Sequence, residues 1–302
     1  MRGRLAYFFT TGDGGWHEGG KVLNEEDIND KELVRRFYSE YGLEEWVRLV
    51  KDPYHQLEFD TTMHFIKKYI PKGSLVLDAG GGPGRYTIEL AKLGYEVILL
   101  DFTPKMLEIA KEMVRLEGVQ DKVKQIIEGS IDNLMFRDET FDGVICLNAL
   151  PHLVDVNERR RAISELRRVA RSGAPILISV IGRMQLPIGW LFLWGDKGHE
   201  TFLKEGFAER LMETGDYYGE RGFAPAHFYL PEELEEECKA AGLKVLEMVG
   251  LEGLATGHRE AVNRLAKEKP AVWKKWLKMH LKLCTHPTCV GLSEHFMIIC
   301  RK

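Results

Sequence analysis

A glycine-rich segment between two short apolar runs, residues 75–101, constrains the fold of this chain most strongly. Leu75–Leu77 is an apolar run followed by Asp78, and Val97–Leu100 is a second run followed by Asp101. Runs of this length are typical of buried parallel strands. We therefore expect both carboxylates at the C-terminal ends of strands, which is the edge where open α/β sheets bind ligands.

The loop between these runs, residues 78–84, reads Asp-Ala-Gly-Gly-Gly-Pro-Gly. Its glycines let the backbone turn sharply and approach a ligand closely, although a tight strand-to-helix turn would use them equally well. Asp101 favours a ligand, because it stands where a ribose-binding acid is expected. A dinucleotide loop of the type G-x-G-x-x-G would need a third glycine in place of Arg85. An acid before the first glycine also disfavours a diphosphate and favours an ammonium or sulfonium group.

The spacing D-x-G-x-G-x-G, from Asp78 to Gly84, resembles the first motif of the class I S-adenosylmethionine-dependent methyltransferases at every defined position. The resemblance implies an α/β fold with a Rossmann-like doubly wound sheet of seven strands, the last of them antiparallel. It implies S-adenosyl-L-methionine as the cofactor. By position in the family's motifs, it also implies a set of cofactor-binding residues: Asp78, Gly80, Gly81, Gly82, Gly84, Asp101, Phe102, Met106, Ser130, Ile131, Leu147 and Asn148.

One position departs from the family's pattern. The third expected strand, Val123–Glu128, is usually followed by Gly-Asp, whose carboxylate accepts a hydrogen bond from the adenine amino group. This chain has Gly129 and Ser130 there. Ser130 can accept a hydrogen bond without carrying charge, and Asp132 is the nearby substitute, so the adenine contact stays open between these two side chains.

The segments outside the expected sheet predict a lid and two caps. Residues 1–70 form an N-terminal arm, glycine-rich at 12–20, and a helical lid. The methyltransferase core comprises residues 71–181, 228–249 and 293–302. Residues 182–227 and 250–292 are insertions rich in aromatic side chains, and long insertions in compact domains are often functional, so we expect them to cap a substrate. A second small apolar core would explain the same aromatic residues.

Composition restricts the partners. The net charge of −4 gives no overall basic field for nucleic acid. Five cysteines without paired spacing indicate a reduced, cytoplasmic protein, and no apolar stretch approaches the length of a membrane span. The Cys284-x-His286-x-x-Cys289 segment lacks the paired C-x-x-C spacing of structural zinc sites, so we expect no metal. We expect a small-molecule partner, and the sequence carries no sign of an oligomeric state.

The expected function is methyl transfer to O, N or S of a small-molecule acceptor. Three alternatives stay open: an RNA or protein methyltransferase, an NAD-dependent Rossmann oxidoreductase, and a non-catalytic cofactor-binding protein. The first is suggested by a lysine stripe formed by Lys274, Lys275, Lys278 and Lys282. A general base is needed only if the acceptor must lose a proton. The sequence does not identify this base, and the candidates are His152, His199, Tyr217, His227 and Tyr229.

Overall fold

The centre of the computed structural model, which describes residues 29–220 and 222–302, is a seven-stranded sheet. The strands, in chain order, are β1 (Leu75–Ala79), β2 (Glu96–Asp101), β3 (Val123–Glu128), β4 (Gly143–Leu147), β5 (Pro175–Ile181), β6 (Asp216–Tyr217), β7 (Ala226–His227), β8 (Lys244–Gly250) and β9 (His295–Arg301). The short strands β6 and β7 form a separate two-stranded sheet.

The order of the central sheet is β3-β2-β1-β4-β5-β9-β8. β9 runs antiparallel to both of its neighbours, and the other pairs are parallel. The predicted fold class, a doubly wound sheet of seven strands with the last one antiparallel, is therefore confirmed. Asp78 and Asp101 lie at the C-terminal ends of β1 and β2. Because β9 is reversed, its first residue, His295, lies at the same edge, opposite Ile181 of β5.

Helices cover both faces of the sheet. They are α1 (Asp30–Tyr41), α2 (Leu43–Arg48), α3 (Pro53–Tyr69), α4 (Arg85–Lys92), α5 (Pro104–Leu116), α6 (Val156–Val169), α7 (Gln185–Ile188), α8 (Gly195–Leu203), α9 (Phe207–Thr214), α10 (Pro231–Ala240), α11 (Arg259–Glu268), α12 (Pro270–Leu283) and α13 (Pro287–Leu292). Leu77 packs with residues of α6, whereas its neighbour Val76 packs with residues of α3. Burial on both faces explains why the strands are continuous apolar runs.

Two helices begin earlier than the sequence pattern predicts. We expect a helix from Leu57, but α3 begins at Pro53, because Asp52 accepts a hydrogen bond from the backbone N–H of His55 and proline suits the first helical position. We expect the basic helix from Glu158, but α6 begins at Val156, since the Asp155 carboxylate caps it. The predicted glycine-rich arm lies outside the described residues.

Each insertion has a small apolar core of its own. In residues 182–227 this core includes Leu186, Trp190, Phe207, Leu211 and Tyr217, together with Ile181 of β5 and Phe228. In residues 250–292, Trp273 and Trp276 of α12 stack with ring centroids 4.9 Å apart and pack against Tyr54 and Leu57 of α3. The lysine stripe of α12 is exposed. No helix within the described residues is long and apolar enough to span a membrane.

Candidate active site

A cavity of about 1170 Å³ opens at the C-terminal edge of the sheet. Its walls come from the glycine loop after β1, from α1 to α3, and from both insertions. Pockets for single small ligands are commonly about 300–1,000 Å³. The cavity therefore has room for a cofactor and a second molecule beside it.

The glycine loop is fixed to β2 by hydrogen bonds. The Asp101 carboxylate accepts from the backbone N–H of Gly82 at 2.9 Å and of Thr103 at 2.8 Å. A Cβ on Gly80 would lie 2.2 Å from the Cβ of Ala149, so Gly80 is required for packing against the loop after β4. Among the described residues, a Cβ on Gly82 would meet no atom within 4 Å. Because Gly82 also lines the cavity, its missing side chain leaves space for a ligand.

Two buried acids stand beside this loop without a basic partner. Asp78 accepts a hydrogen bond from the Thr87 hydroxyl at 2.6 Å, and burial raises the pKa of its carboxyl to about 6. Burial also raises the pKa of Asp101. Within the described residues neither acid forms an ion pair with lysine, arginine or histidine. A ligand that brings a positive charge would relieve the cost of ionising these groups, so this edge fits a cationic nucleoside.

The cavity brings together eleven of the twelve residues expected to bind the cofactor, which are Asp78, Gly80, Gly81, Gly82, Asp101, Phe102, Met106, Ser130, Ile131, Leu147 and Asn148. Gly84 is the exception. It is the N-cap residue of α4 with φ +84°, and a Cβ there would lie 3.1 Å from Leu99. Its role is backbone geometry and helix-to-strand packing rather than contact with the cavity.

Ser130 and Asp132, the two side chains left open for the adenine contact, lie differently with respect to the cavity. Ser130 lines the cavity and donates its hydroxyl proton to the Asp132 carboxylate. Asp132 does not line this cavity and instead pairs with Lys31 of α1 at 2.9 Å. Although burial opposes ionisation, these two partners lower the pKa of Asp132. The Ser130 oxygen thus keeps its lone pairs available to accept a hydrogen bond from a ligand in the cavity.

Of the five candidate bases, His152 and Tyr217 line the cavity. The His152 ring lies between two partners, with Nε2 2.7 Å from the Tyr38 hydroxyl and Nδ1 2.8 Å from the carbonyl oxygen of Pro225. Burial lowers the pKa of His152 to about 4, so the ring is neutral and both of its nitrogens are occupied. His152 therefore joins α1, the loop after β4 and the first insertion, which is a positioning role.

The other three candidates lie away from the cavity. His199 is exposed on α8. His227 is buried, with Nδ1 2.6 Å from a carboxylate oxygen of Asp216. Tyr229 is fully buried and donates its hydroxyl hydrogen bond to Glu237. The last two side chains hold the first insertion and α10 in place.

Sequence reasoning missed a polar cluster at the other end of the cavity. Glu58 of α3, Glu252 after β8 and His295 of β9 all line this end, and their nearest oxygen and nitrogen atoms lie within 4.8 Å of one another. His295 Nδ1 is 2.7 Å from Glu252 Oε1. The Glu58 carboxylate accepts a hydrogen bond from the Asn148 side chain at 3.1 Å, so the cluster adjoins the loop after β4.

The charges of this cluster stabilise one another. Burial alone would lower the pKa of His295, but the carboxylates of Glu58 and Glu252 outweigh it and raise this pKa to about 9. Burial opposes ionisation of Glu58 as well, yet Arg48, which donates to it at 2.7 Å, lowers its pKa to about 2. One sequence signal could have located His295: the last strand is antiparallel, so its first residues must lie at the ligand edge.

The cysteine-histidine segment near the C-terminus has a structural role. Cys284 and Cys289 are buried, and Cys284 packs in the core between the sheet and α3. His286 is the N-cap residue of α13, and its Nδ1 accepts a hydrogen bond from the backbone N–H of Thr288 at 3.2 Å.

Comparisons with known proteins agree with this geometry. Residues 76–173 match the family model described as a methyltransferase domain. A demethylmenaquinone methyltransferase of Thermobifida fusca is 32% identical over 126 residues, which cover 41% of this chain and 51% of that protein. A protein of Encephalitozoon cuniculi named as a methyltransferase is 28% identical over 72% of this chain and 90% of its own length.

Among solved structures, an S-adenosylmethionine-dependent methyltransferase of Methanosarcina mazei has a TM-score of 0.54 and 21% identity, covering 79% of this chain and 96% of that one. This likeness shows the shared fold. The match to the Thermobifida relative spans about half of that protein's length. It therefore indicates a shared domain and does not identify the methyl acceptor. The matched domain begins in β1 and contains the glycine loop, the two acids and the strands up to β4. Residues 76–173 therefore form a methyltransferase domain, and the fold of the chain is similar to that of an S-adenosylmethionine-dependent methyltransferase.

Proposed function

We propose that this protein transfers the methyl group of S-adenosylmethionine to a small molecule. The observation that carries the proposal is the continuity of the cavity, which extends from the glycine loop to the two insertions. When bound, the cofactor supplies a methyl group that is already activated by its sulfonium. The protein's task is then to align an acceptor with that methyl group and to exclude water.

Each part of the loop edge has a role in this proposal. Asp101 would accept hydrogen bonds from the ribose hydroxyls, and Ser130 would accept one from the adenine amino group. Phe102 would pack on the adenine ring. Asp78 would attract the positive charges of the methionine portion, and Asn148 would border the reacting methyl group. Alignment of this kind can contribute on the order of 7–11 kcal/mol to lowering a barrier.

The helices before β1 and the two insertions would close over the bound molecules as a lid and caps. The Tyr38 hydroxyl of α1 and the Pro225 carbonyl of the first insertion both form hydrogen bonds with the His152 ring. The lid and the first insertion are therefore attached to the same side chain. Arg259 and His258 of the second insertion line the opposite wall. None of the four lysines of the stripe on α12 lines the cavity, which favours a small acceptor over RNA.

Calorimetry tests the proposal directly. We expect S-adenosylmethionine and S-adenosylhomocysteine to bind with one-to-one stoichiometry and NAD not to bind. Incubation with S-adenosylmethionine and pools of small metabolites should then release S-adenosylhomocysteine. Binding of NAD at this edge would support the oxidoreductase, strongly salt-dependent binding of bulk RNA would support a nucleic-acid acceptor, and cofactor binding without any turnover would support a sensor.

The acidity of Asp78 predicts how cofactor affinity depends on pH. A carboxyl with a pKa of about 6 attracts a cation only when ionised, so the affinity should be constant above about pH 7 and fall as the pH drops through 6. At pH 5 the loss should be about tenfold. Calorimetry at pH 5 and pH 8 measures it. Asp78→Asn should bind more weakly at pH 8 and show a smaller pH dependence, and an unchanged pH profile in this variant would contradict the assignment.

A further inference from the structure

We propose that His295, as an imidazolium, holds the acceptor as its oxyanion and that the acceptor is a small molecule with a hydroxyl group on an aromatic ring. This inference rests on the proposed function and names the substrate class for the same cavity. It starts from three side chains that lie far apart in the sequence and converge at the edge of the sheet: Glu58, Glu252 and His295.

Glu252 fixes the orientation of the His295 ring. Its Oε1 accepts the Nδ1 hydrogen bond at 2.7 Å, while its Oε2 accepts from the Ser293 hydroxyl at 2.9 Å and from the backbone N–H of His295 at 2.8 Å. A carboxylate that holds one ring nitrogen fixes the direction of the other and stabilises the protonated ring. Among the described residues, no hydrogen bond of His295 uses Nε2, which leaves this nitrogen for a bound molecule.

The position of His295 suits methyl transfer. Glu58 lies between it and Asn148, with a 3.1 Å hydrogen bond to Asn148 and a separation of 3.7 Å between Glu58 Oε2 and His295 Nδ1. Asn148 directly follows β4, where the proposed site holds the methionine portion of the cofactor. A cationic hydrogen-bond donor at His295 is therefore close to the place where the acceptor oxygen must meet the methyl group.

The body of the acceptor would lie against an apolar wall. Ile181 of β5 is the cross-strand partner of His295, and residues directly opposite each other project from the same face of a sheet. Ile181 belongs to the apolar core of the first insertion, together with Trp190, Tyr217 and Phe228. All of these side chains line the cavity, and aromatic walls favour ring-containing ligands.

The charges around His295 favour a hydroxyl over an amine. Glu58 is paired with Arg48, Glu252 is held by Ser293 and His295, and the Glu294 carboxylate is paired with Arg259 and accepts from the Tyr54 hydroxyl at 2.7 Å. The oxygens of these three carboxylates are thus already engaged, which leaves none of the three for an ammonium group. A protonated imidazole, in contrast, stabilises an adjacent oxyanion.

The proposed step balances as follows. The acceptor hydroxyl releases its proton to solvent as it binds, and the Nε2–H of the His295 imidazolium donates a hydrogen bond to the resulting oxyanion. The oxygen then forms a bond to the methyl carbon. The bond from that carbon to sulfur breaks as the new bond forms, and its electron pair remains on sulfur in S-adenosylhomocysteine. His295 remains an imidazolium that donates through Nδ1 to Glu252.

Charged and titratable groups from several elements interact with His295 or with the acids beside it. They are Glu58 of α3, Arg48 of α2, His55 of α3, Glu252 after β8, Glu294 beside it and Arg259 of α11. Glu58, Glu252 and Glu294 stabilise the imidazolium, and together they outweigh burial to raise the pKa of His295 to about 9. At neutral pH the ring therefore retains a proton, which favours an ionised acceptor oxygen beside it.

The test uses 4-nitrophenol as a probe, because its ionised form absorbs differently from its neutral form. In the full-length protein saturated with S-adenosylhomocysteine, we expect the bound phenol to ionise at a pH at least one unit lower than in water. His295→Gln should abolish this shift, and Glu252→Gln should reduce it. His64→Gln, which changes an exposed histidine of α3, is the matched control and should behave as the unaltered protein.

Calorimetric titration with S-adenosylhomocysteine shows that each variant is folded and loaded. If the unaltered protein fails to bind this ligand, the proposed function itself is wrong. If it binds the ligand but not 4-nitrophenol, the aromatic-hydroxyl class is wrong. Equal ionisation of the bound phenol in the unaltered protein and in His295→Gln would overturn the role of His295. NMR titration of the His295 ring gives an independent result, since addition of the phenol should raise its pKa further.

Discussion

Gly82→Ala is expected to weaken binding of S-adenosylmethionine at least tenfold while leaving the protein folded. Gly82 has a φ of +54°, so a side chain there costs about 1–2 kcal/mol of folding stability. No atom of residues 29–220 or 222–302 lies within 4 Å of the added Cβ, which would instead occupy the space of the ligand. Calorimetry with the cofactor and thermal unfolding of the free protein measure the two effects separately.

Gly73→Ala is the matched control for this substitution. Gly73 lies between α3 and β1 with a φ of +80°, and a Cβ there also meets no atom within 4 Å. It does not line the cavity. The two variants should lose similar folding stability, and only Gly82→Ala should lose affinity. Equal cofactor affinity in both variants would show that the cofactor does not approach this loop.

Arg183→Met is expected to lower the free energy of unfolding by about 3 kcal/mol, the largest stability effect that we predict. Arg183 follows β5, and only 2% of its side chain is exposed. Its guanidinium donates to the Glu233 carboxylate at 2.6 Å and to the Phe228 carbonyl at 2.9 Å. Removing it leaves these acceptors unpaired and separates the first insertion from α10. Urea unfolding measures the loss.

The comparison variant is Arg115→Met. Arg115 pairs with Glu112 on the surface of α5, and its side chain is 62% exposed. Exposed ion pairs contribute about 0–1 kcal/mol, so this variant should unfold close to the unaltered protein. If Arg183→Met lowered the free energy of unfolding no more than Arg115→Met does, the buried arginine would not be what holds the first insertion against the sheet.

The sheet and the loop edge could be predicted because their signals are local. Each buried strand is a short apolar run, and the acids and glycines occupy fixed positions relative to the ends of β1 and β2. Helix starts were less predictable. The capping carboxylates Asp52 and Asp155 precede the apolar periodicity, so a reading of periodicity alone begins too late.

The acceptor end could not be predicted in the same way. Glu58, Glu252 and His295 belong to separate elements, and only the folded sheet places them together. His152 shows the converse problem. Its position after β4 makes it a natural candidate for a base, yet burial and two hydrogen bonds make it a neutral connector. Residue type and position indicate which side chains reach the ligand edge, whereas the partners of each ring nitrogen decide its chemistry.

The reversal of the last strand has an evolutionary consequence. The glycine loop and its acids lie within residues 75–101, while Glu252 and His295 enter the cavity from the C-terminal sixth of the chain. Under the proposed function, donor recognition and acceptor recognition are thus encoded by separate stretches of the gene. Mutations after residue 250 would then change which molecule is methylated while the donor half stays intact, and relatives with the same donor half would diverge in substrate.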